Sequence, residues 1–80
     1  MKLIDIINEN GNKDIPYIEY RDMIEVEGKE VDVFVGMCEY KDSELISLDG
    51  DNYSLESEIG CHEWYEENGK RCLKVYISKW

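Results

Sequence analysis

Hydrophobic positions divide the chain into one short helical segment and several segments that alternate. Near the N-terminus they recur at the (i, i+3) and (i, i+4) spacings of one helical face, at Leu3, Ile4, Ile6 and Ile7. Asn10–Gly11 then supplies a stop, because glycine readily adopts the left-handed conformation at a helix C-terminus. The pattern predicts a helix over about residues 2–9, followed by a polar connector up to Pro16.

Residues 17–26 alternate between apolar and polar side chains, with the period of a half-exposed β-strand. The predicted apolar face carries Ile18, Tyr20, Ile24 and Val26. A two-residue turn at Gly28–Lys29 is predicted to follow and would pair Val26 with Val31. The hairpin then places its valines and isoleucines on one face.

Residues 31–40 carry apolar side chains on both faces, which predicts a central strand. The predicted faces are Val31, Val33, Val35 and Met37 on one side, and Phe34, Cys38 and Tyr40 on the other. Gly36 marks an expected bulge or bend. After a turn at residues 41–43, residues 44–48 predict a short strand that completes a three-stranded meander.

Residues 52–59 begin with side chains that cap helices and continue with acids, a pattern that favours one helical turn. Asn68–Gly69 is the preferred dipeptide of a type I′ turn, and it sets the register of the last hairpin. The predicted cross-strand pairs are Trp64–Leu73, His62–Val75, Glu66–Arg71, Tyr65–Cys72 and Glu63–Lys74. Residues 1–80 are therefore predicted to form one α+β domain. It has a short N-terminal helix and about five antiparallel strands, in an open sheet or a small curled barrel.

Charge narrows the range of partners. The 80 residues include 19 Asp and Glu against 9 Lys and Arg, which gives a formal net charge of −10. Such a surface repels phosphate backbones and anionic membranes and attracts basic proteins, so we expect a basic protein partner and no direct nucleic-acid or membrane binding. Acids interrupt the N-terminal segment before a signal-peptide core can form. A cytoplasmic location with three reduced cysteines is therefore expected.

The cysteines and the single histidine form no recognisable ligand or nucleophile motif. Cys61 and His62 are neighbours on a predicted strand, so they point to opposite faces, and the chain contains no Cys-x-x-Cys pair. The stretch from Asp49 begins like a calcium-binding loop, but Ser54 stands where that loop requires glycine. Phosphate-binding and zinc-protease motifs are also missing, so we expect no metal, no cofactor and no enzymatic activity.

The distribution of the acids carries more information. Nine acids and no Lys or Arg lie between Asp42 and Gly69, whereas four cations follow in the last eleven residues. The acids surround Tyr53, Trp64 and Tyr65, and aromatics with carboxylates bind basic grooves by stacking on Arg and pairing with it. The alternative is a solvated acidic rim that keeps a small domain monomeric and soluble. Convergence of the acids on one face of the folded chain would favour binding.

Three stretches resemble small proteins of Firmicutes phages and mobile elements: the N-terminal helix at residues 1–5, residues 45–55 and the terminal strand at residues 73–77. Several short acidic proteins of this type resemble anti-CRISPR inhibitors, which occupy nucleic-acid channels of the host nuclease. The resemblance implies an anti-CRISPR-like DNA mimic that competes for a basic groove in the host-cell cytoplasm. The expected contact residues are Asp49, Asp51, Tyr53, Glu56, Glu58, Glu63, Tyr65, Glu66 and Glu67.

A small phage adaptor or assembly domain is the alternative function. It would bind a protein through a sheet edge or exposed aromatics, and Tyr76 and Trp80 on the last strand would then matter more than the acids. Salt separates the two hypotheses, because charge pairing weakens as salt rises whereas edge pairing depends mainly on backbone hydrogen bonds. A third hypothesis, an enzyme that uses Cys38 or His62, predicts inactivation by thiol alkylation or by His62→Ala.

Overall fold

A computed structural model describes residues 1–77 of the chain. The elements are α1 (Leu3–Glu9), β1 (Ile15–Val26), β2 (Lys29–Lys41), β3 (Glu44–Ser47), β4 (Cys61–Glu67) and β5 (Lys70–Tyr76). The strands form one sheet in the order β3-β2-β1-β5-β4. No helix within residues 1–77 has the length and hydropathy needed to cross a membrane.

The sheet is mixed, so the prediction of a wholly antiparallel sheet is wrong. β1 runs parallel to β5, whereas the three hairpin pairs are antiparallel as expected. Hairpin turns are local signals, but the β1–β5 contact joins distant segments and is favoured by apolar burial: Ile18 lies between Cys38 and Leu73. The sheet is open, with β3 and β4 at its two edges, so the barrel alternative is also wrong.

One face of the sheet is covered by α1 and by the segment that follows β3; we call it the covered face, and the other the open face. The buried core cluster comprises Leu3, Ile6, Ile7, Ile15, Ile18, Tyr20, Cys38, Tyr40, Ile59, Leu73 and Val75. All three buried residues of α1 belong to it. The spacing of these residues is the helical periodicity seen in the sequence, and the predicted helix is confirmed.

The N-terminus of α1 is held by backbone hydrogen bonds from the long segment between β3 and β4. The N–H of Leu3 donates to the carbonyl of Ser57 (3.0 Å) and that of Ile4 to the carbonyl of Leu55 (2.9 Å). The first N–H groups of a helix have no partner within it, so these carbonyls satisfy them. Residues 52–59 contain a single hydrogen-bonded turn in place of the expected helical turn. That prediction is wrong because the carbonyl groups of Leu55 and Ser57 accept hydrogen bonds from α1 and are not used in a helix of their own segment.

The last hairpin has the predicted register throughout. Trp64 pairs with Leu73, Tyr65 with Cys72, and the remaining three predicted pairs are also present. The turn residues Asn68 and Gly69 have φ values of 54° and 76°, as a type I′ turn requires. This local prediction is confirmed.

The first hairpin turns one residue earlier than predicted. Its central residues are Glu27 and Gly28, with φ values of 53° and 77°, so Val26 pairs with Lys29. Glycine occupies the second position of this type I′ turn, as it does in Asn68–Gly69. The displacement changes the pairing by two residues and leaves the shared face of the isoleucines and valines intact, because Ile24 now pairs with Val31.

A bulge in β2 changes which side chains share a face. Tyr20 pairs with Gly36 but Arg21 pairs with Phe34, so Val35 is the extra residue. The expected irregularity beside Gly36 is confirmed. The prediction that Val31 and Val33 lie opposite Cys38 and Tyr40 is wrong, because the bulge shifts the alternation and places all four on the covered side. β2 is an interior strand between β3 and β1, as expected, and β1 is the middle strand of the five.

Candidate functional site

The first hairpin extends beyond the rest of the sheet. β5 pairs with β1 only as far as Arg21, and β3 pairs with β2 only from Cys38 onwards. We call residues 22–34, the part of the first hairpin beyond these pairings, the distal hairpin. Within residues 1–77, no strand lies beside the outer edge of β2 in the distal hairpin.

The distal hairpin exposes apolar side chains on the side that continues the covered face, where Asp22 and Lys29 also lie. Ile24 and Val31 face each other across the strands and are 41% and 40% exposed, and Val26 at the turn is 47% exposed. Asp22 lies on the same face and separates these exposed residues from the buried Ile18 and Tyr20. The result is a contiguous apolar strip at the end of an acidic domain.

The open side of the distal hairpin is acidic. Glu25 and Glu30 are directly paired across the two strands. Residues 22–34 carry five carboxylates and one ammonium group, a net charge of −4. Like charges opposite each other in an antiparallel pair are destabilising. Within residues 1–77, no cation lies within ion-pair distance of Glu25 or Glu30.

Arg21 holds the base of the distal hairpin on the sheet. Its Nε donates to Glu19 Oε2 at 2.7 Å and its guanidinium donates to Asp32 Oδ1 at 3.1 Å. The hydrogen bond to Glu19 is the main cause that raises the pKa of Arg21, and the hydrogen bond to Asp32 is the second. The hydroxyl of Tyr76 donates to the other oxygen of Asp32 at 3.1 Å. Asp32 thus shares Arg21 with Glu19 and remains 40% exposed, whereas Glu25 and Glu30, nearer the turn, have no cation beside them within residues 1–77.

Among the acids expected from the sequence to bind a partner, Asp49 has an internal role. Its two carboxylate oxygens accept hydrogen bonds from Ser47 Oγ (3.1 Å), the Asp51 N–H (3.0 Å), the Met37 N–H (3.0 Å) and the Tyr53 hydroxyl (2.5 Å). The Tyr53 bond is the main cause that lowers the pKa of Asp49 to about 2. The structure therefore brings Asp49, Asp51 and Tyr53 together, but it uses Asp49 and Tyr53 to fasten a loop.

Gly36 allows this loop to approach the sheet. A Cβ at Gly36 would overlap the Tyr53 hydroxyl and lie 2.7 Å from an Asp49 carboxylate oxygen. The Tyr53 ring packs against Tyr20, with ring centroids 4.6 Å apart. Burial, followed by the hydrogen bond to Asp49, raises the pKa of Tyr53. The bulge and the loop are thus one packed unit.

Two further predicted residues lie beside the N-terminus. Glu56 forms an ion pair with Lys2, with Oε2 2.8 Å from Nζ. Glu58 Oε2 lies 3.4 Å from the α-amino group of Met1. The hydrogen bond with Glu56 is the main cause that raises the pKa of Lys2. Both carboxylates already have a cation beside them, although the pairs are exposed and contribute little to stability.

The remaining four predicted residues lie on β4. Glu63 and Tyr65 point to the open face beside Lys74, whose Nζ lies 5.8 Å from the Tyr65 ring centre. Burial is the main cause that raises the pKa of Tyr65 to about 12. Glu66 pairs across the hairpin with Arg71 and Glu67 with Lys70. The nine residues are distributed over a loop, the N-terminal region and β4, and most have a cation or an internal donor nearby.

The distal hairpin was not singled out from the sequence because its acids are interspersed with Lys29 and flanked by Arg21. The signal that would have found it is the type I′ turn at Glu27–Gly28, since that turn places Glu25 opposite Glu30. The predicted turn one residue later would instead pair Glu25 with Asp32 and Glu27 with Glu30.

A concave region of the surface lies where β1 begins and β2 ends. It is an open groove of about 400 Å³, lined by Asp14, Pro16, Glu39, Tyr40, Lys41, Lys70 and Arg71. Arg71 lies over the Trp64 ring, 4.6 Å from its centre. Two carboxylates accompany the three cations, so the groove has little net charge to select an anion.

The thiols and the histidine form no site within residues 1–77. Cys38 and Cys72 are buried and Cys61 is exposed. Burial is the main cause that raises the pKa of Cys38 to about 12, which makes it a poor nucleophile. His62 and Cys61 point to opposite faces of β4. No group of three or more His, Cys, Asp or Glu side chains in this part of the chain is arranged to hold a metal ion.

Tyr76 and Trp80 carried the adaptor hypothesis. Tyr76 lies on β5, which is paired on both sides and is not an edge strand, and its hydroxyl is engaged by Asp32. Trp80 lies outside the described residues. In the described part of the chain, the outer edges of β3, of β4 and of β2 in the distal hairpin have no neighbouring strand.

Comparison with known proteins gives no relative: no protein-family model, curated protein or solved structure matches the chain. The function has to be inferred from the arrangement of the residues themselves.

Proposed function

We propose that this chain is a non-enzymatic inhibitor that inserts its distal hairpin into a positively charged groove of another protein. The observation that carries the proposal is the direct pairing of Glu25 with Glu30 beside the exposed pair Ile24–Val31. A like-charged pair and an uncovered apolar strip each cost stability in the free protein. A basic groove with an apolar wall would relieve both costs at once.

The mechanism is competition for the groove. An Arg or Lys of the partner would lie between the two carboxylates, where it changes the repulsion between them into two attractive pairs. The apolar strip on the opposite side of the hairpin would pack against the apolar wall of the groove and bury its exposed surface. The net charge of −10 would speed the encounter with a basic surface and would make the association sensitive to salt.

The partner class follows from the resemblance to anti-CRISPR-like proteins of Firmicutes phages. A CRISPR nuclease has a basic channel for nucleic acid, and carboxylates at suitable spacing would substitute there for phosphates. In this proposal the protein acts in the cytoplasm of the host cell as a DNA mimic. The nine residues expected from the sequence stay a prediction for a second contact region, in which the carboxylates without an internal role would contribute to the field.

The test is inhibition of DNA binding and cleavage by a panel of CRISPR nucleases, at low and high salt. The key variant combines Glu25→Lys with Glu30→Lys, which reverses the charge but keeps a like-charged pair, so the stability of the hairpin changes little. The matched control combines Asp51→Lys with Glu66→Lys, which changes the net charge equally in the region expected from the sequence.

We expect the hairpin variant to inhibit at least about tenfold more weakly than the wild type, which corresponds to about 1.4 kcal/mol of binding free energy. The control should lose less, and inhibition by the wild type should fade at high salt. Equal losses in both variants would assign the effect to net charge alone. A panel in which no nuclease is inhibited would contradict the proposed partner class.

The adaptor hypothesis remains the alternative, and the outer edge of β2 in the distal hairpin, which has no neighbouring strand within residues 1–77, favours it. An adaptor that binds through backbone pairing would tolerate high salt and the double charge reversal. Pull-down with the wild type at high salt, compared with the charge-reversed variant, separates the two functions.

A further inference from the structure

We propose that the free edge of β2 in the distal hairpin binds an extended segment of the partner as an added β-strand, and that this segment alternates basic and apolar residues. The inference rests on the proposed function and adds the binding mode and the kind of sequence that is recognised. Addition of a strand to an exposed sheet edge is a recurrent way for proteins to bind peptides.

The backbone geometry identifies the groups available on this edge. In a two-residue hairpin the residues that flank the turn, here Val26 and Lys29, form the first hydrogen-bonded pair, and bonded and non-bonded pairs then alternate. Glu30, Asp32 and Phe34 therefore direct their N–H and C=O groups away from β1. Such a row of backbone groups is a template for another strand.

The edge is open over the distal hairpin and closed beyond it. The N–H of Leu48 donates to the carbonyl of Met37 at 3.1 Å, and the N–H of Met37 donates to Asp49 at 3.0 Å. From Cys38 onwards β3 is paired with β2. Within residues 1–77, no backbone hydrogen bond reaches the outer edge at residues 30–34. The open edge is long enough for a segment of about five residues.

The side chains along this edge indicate which kind of partner sequence would fit beside it. Glu30 and Asp32 point to the open side, and Val31 and Val33 point to the covered side. An added strand continues both faces, so its alternate side chains would lie beside carboxylates and beside valines. Cations on one face and apolar residues on the other fit both rows.

The same charges exclude a second copy of this chain as the occupant. Pairing of two distal hairpins along β2 would bring two segments of net charge −4 together. A basic segment gains attraction at the same positions, and the acidic residues keep identical edges apart, as charges on natural edge strands do. Charge complementarity therefore selects a basic partner strand.

The experiment uses the full chain and a nine-residue peptide that alternates lysine and valine. Two control peptides have the same composition in scrambled order, or glutamate in place of lysine. Calorimetric titration measures affinity, and amide hydrogen exchange by NMR reports the N–H groups of Glu30, Asp32 and Phe34. We expect the alternating peptide to bind at least about tenfold more tightly than the scrambled one and to slow exchange at all three amides. The glutamate peptide should not bind.

The matched variants are Glu30→Pro and Glu30→Thr. Both remove the same charge, but proline also removes the outward N–H, which is the one backbone donor that the hairpin itself does not use at this position. We expect Glu30→Pro to bind the alternating peptide several-fold more weakly than Glu30→Thr. The exchange measurement on the wild type gives an independent answer if the proline variant does not fold.

Equal affinities for the two variants, together with unchanged exchange at the three amides, would overturn strand addition. In that case binding of the lysine peptide that still depends on Glu25 and Glu30 would leave the proposed function in place with side-chain contacts alone. Loss of any preference for the lysine peptide over the glutamate peptide would contradict the proposed function as well.

Discussion

The pairing of Glu25 with Glu30 makes a quantitative prediction about stability. Glu30→Lys replaces a like-charged cross-strand pair by an oppositely charged one. Cross-strand pairs of this kind are worth roughly 0.2–1 kcal/mol each, so the exchange of repulsion for attraction should raise the free energy of unfolding by about 0.5–1 kcal/mol. For a domain of this size, that corresponds to a rise of about 2–8 °C in the unfolding temperature.

The assay is thermal unfolding by circular dichroism at low salt and at about 1 M salt, where the Debye length is about 3 Å. Glu27→Lys is the matched control, because it changes the net charge equally from the turn of the same hairpin but has no residue opposite it. The gain from Glu30→Lys should exceed that of the control at low salt and should shrink at high salt. If Glu30→Lys is no more stable than Glu27→Lys at low salt, the cross-strand repulsion is not present. The stabilised variant is also expected to lose inhibitory activity, since the charge that destabilises the free hairpin is the charge proposed to bind.

Three further predictions concern the loop and the thiols. Gly36→Ala should lower the free energy of unfolding by about 1–3 kcal/mol, because its Cβ overlaps the Tyr53 hydroxyl and the core must shift. The pKa of Asp49 is lowered to about 2, so its contribution to stability is complete above the ordinary pKa near 3.8 and is lost as pH falls through about 2; Asp49→Asn should flatten that part of the stability profile. A thiol reagent should modify Cys61 in the folded protein, and the two buried cysteines only after unfolding.

Simple comparisons check these expectations. Chemical denaturation of Gly36→Ala beside Tyr53→Phe shows whether the clash or the lost hydroxyl dominates; an alanine variant as stable as the wild type would contradict the packing described. Unfolding temperatures measured at about pH 5 and about pH 2 test the carboxylate, and parallel losses in wild type and Asp49→Asn would mean that it has no special role. Mass spectrometry counts the modified thiols with and without denaturant.

Local signals in the sequence predict much of the fold. The helix follows from the spacing of Leu3, Ile6 and Ile7, and the last hairpin follows from Asn68–Gly69. Both depend on residues close together in the chain, where backbone conformation and side-chain periodicity decide the structure. The three antiparallel pairs of neighbouring strands could therefore be predicted from the sequence.

Contacts between distant segments and irregularities within the strands could not be predicted from local signals. The parallel contact of β1 with β5 depends on which apolar faces fit together around Ile18, and no local pattern specifies that choice. The bulge at Val35 inverts the alternation of half a strand, and the turn at Glu27–Gly28 competes with an equally short alternative. The turn determines which acids face each other, and the start of β3 opposite Cys38, which leaves the outer edge of residues 30–34 free, is a long-range feature of the sheet.

Several acids that are prominent in the sequence have internal partners once the chain is folded. Asp49 accepts hydrogen bonds from four donors, which lie on β2, on β3 and in its own loop, and Glu56 and Glu58 lie beside the cations of the N-terminus. A count of acids along the chain does not distinguish these from Glu25 and Glu30, because the distinction depends on donors supplied by distant segments. The charge that remains unpaired is the more informative quantity.

The most direct test of the central claim is hydrogen–deuterium exchange of the full chain, measured with and without a CRISPR nuclease that it inhibits. The proposal predicts slower exchange in residues 22–34, with smaller changes along β4 and the loop that contains Asp49. Protection confined to residues 49–67, with the distal hairpin unchanged, would contradict the claim that this hairpin is the binding surface.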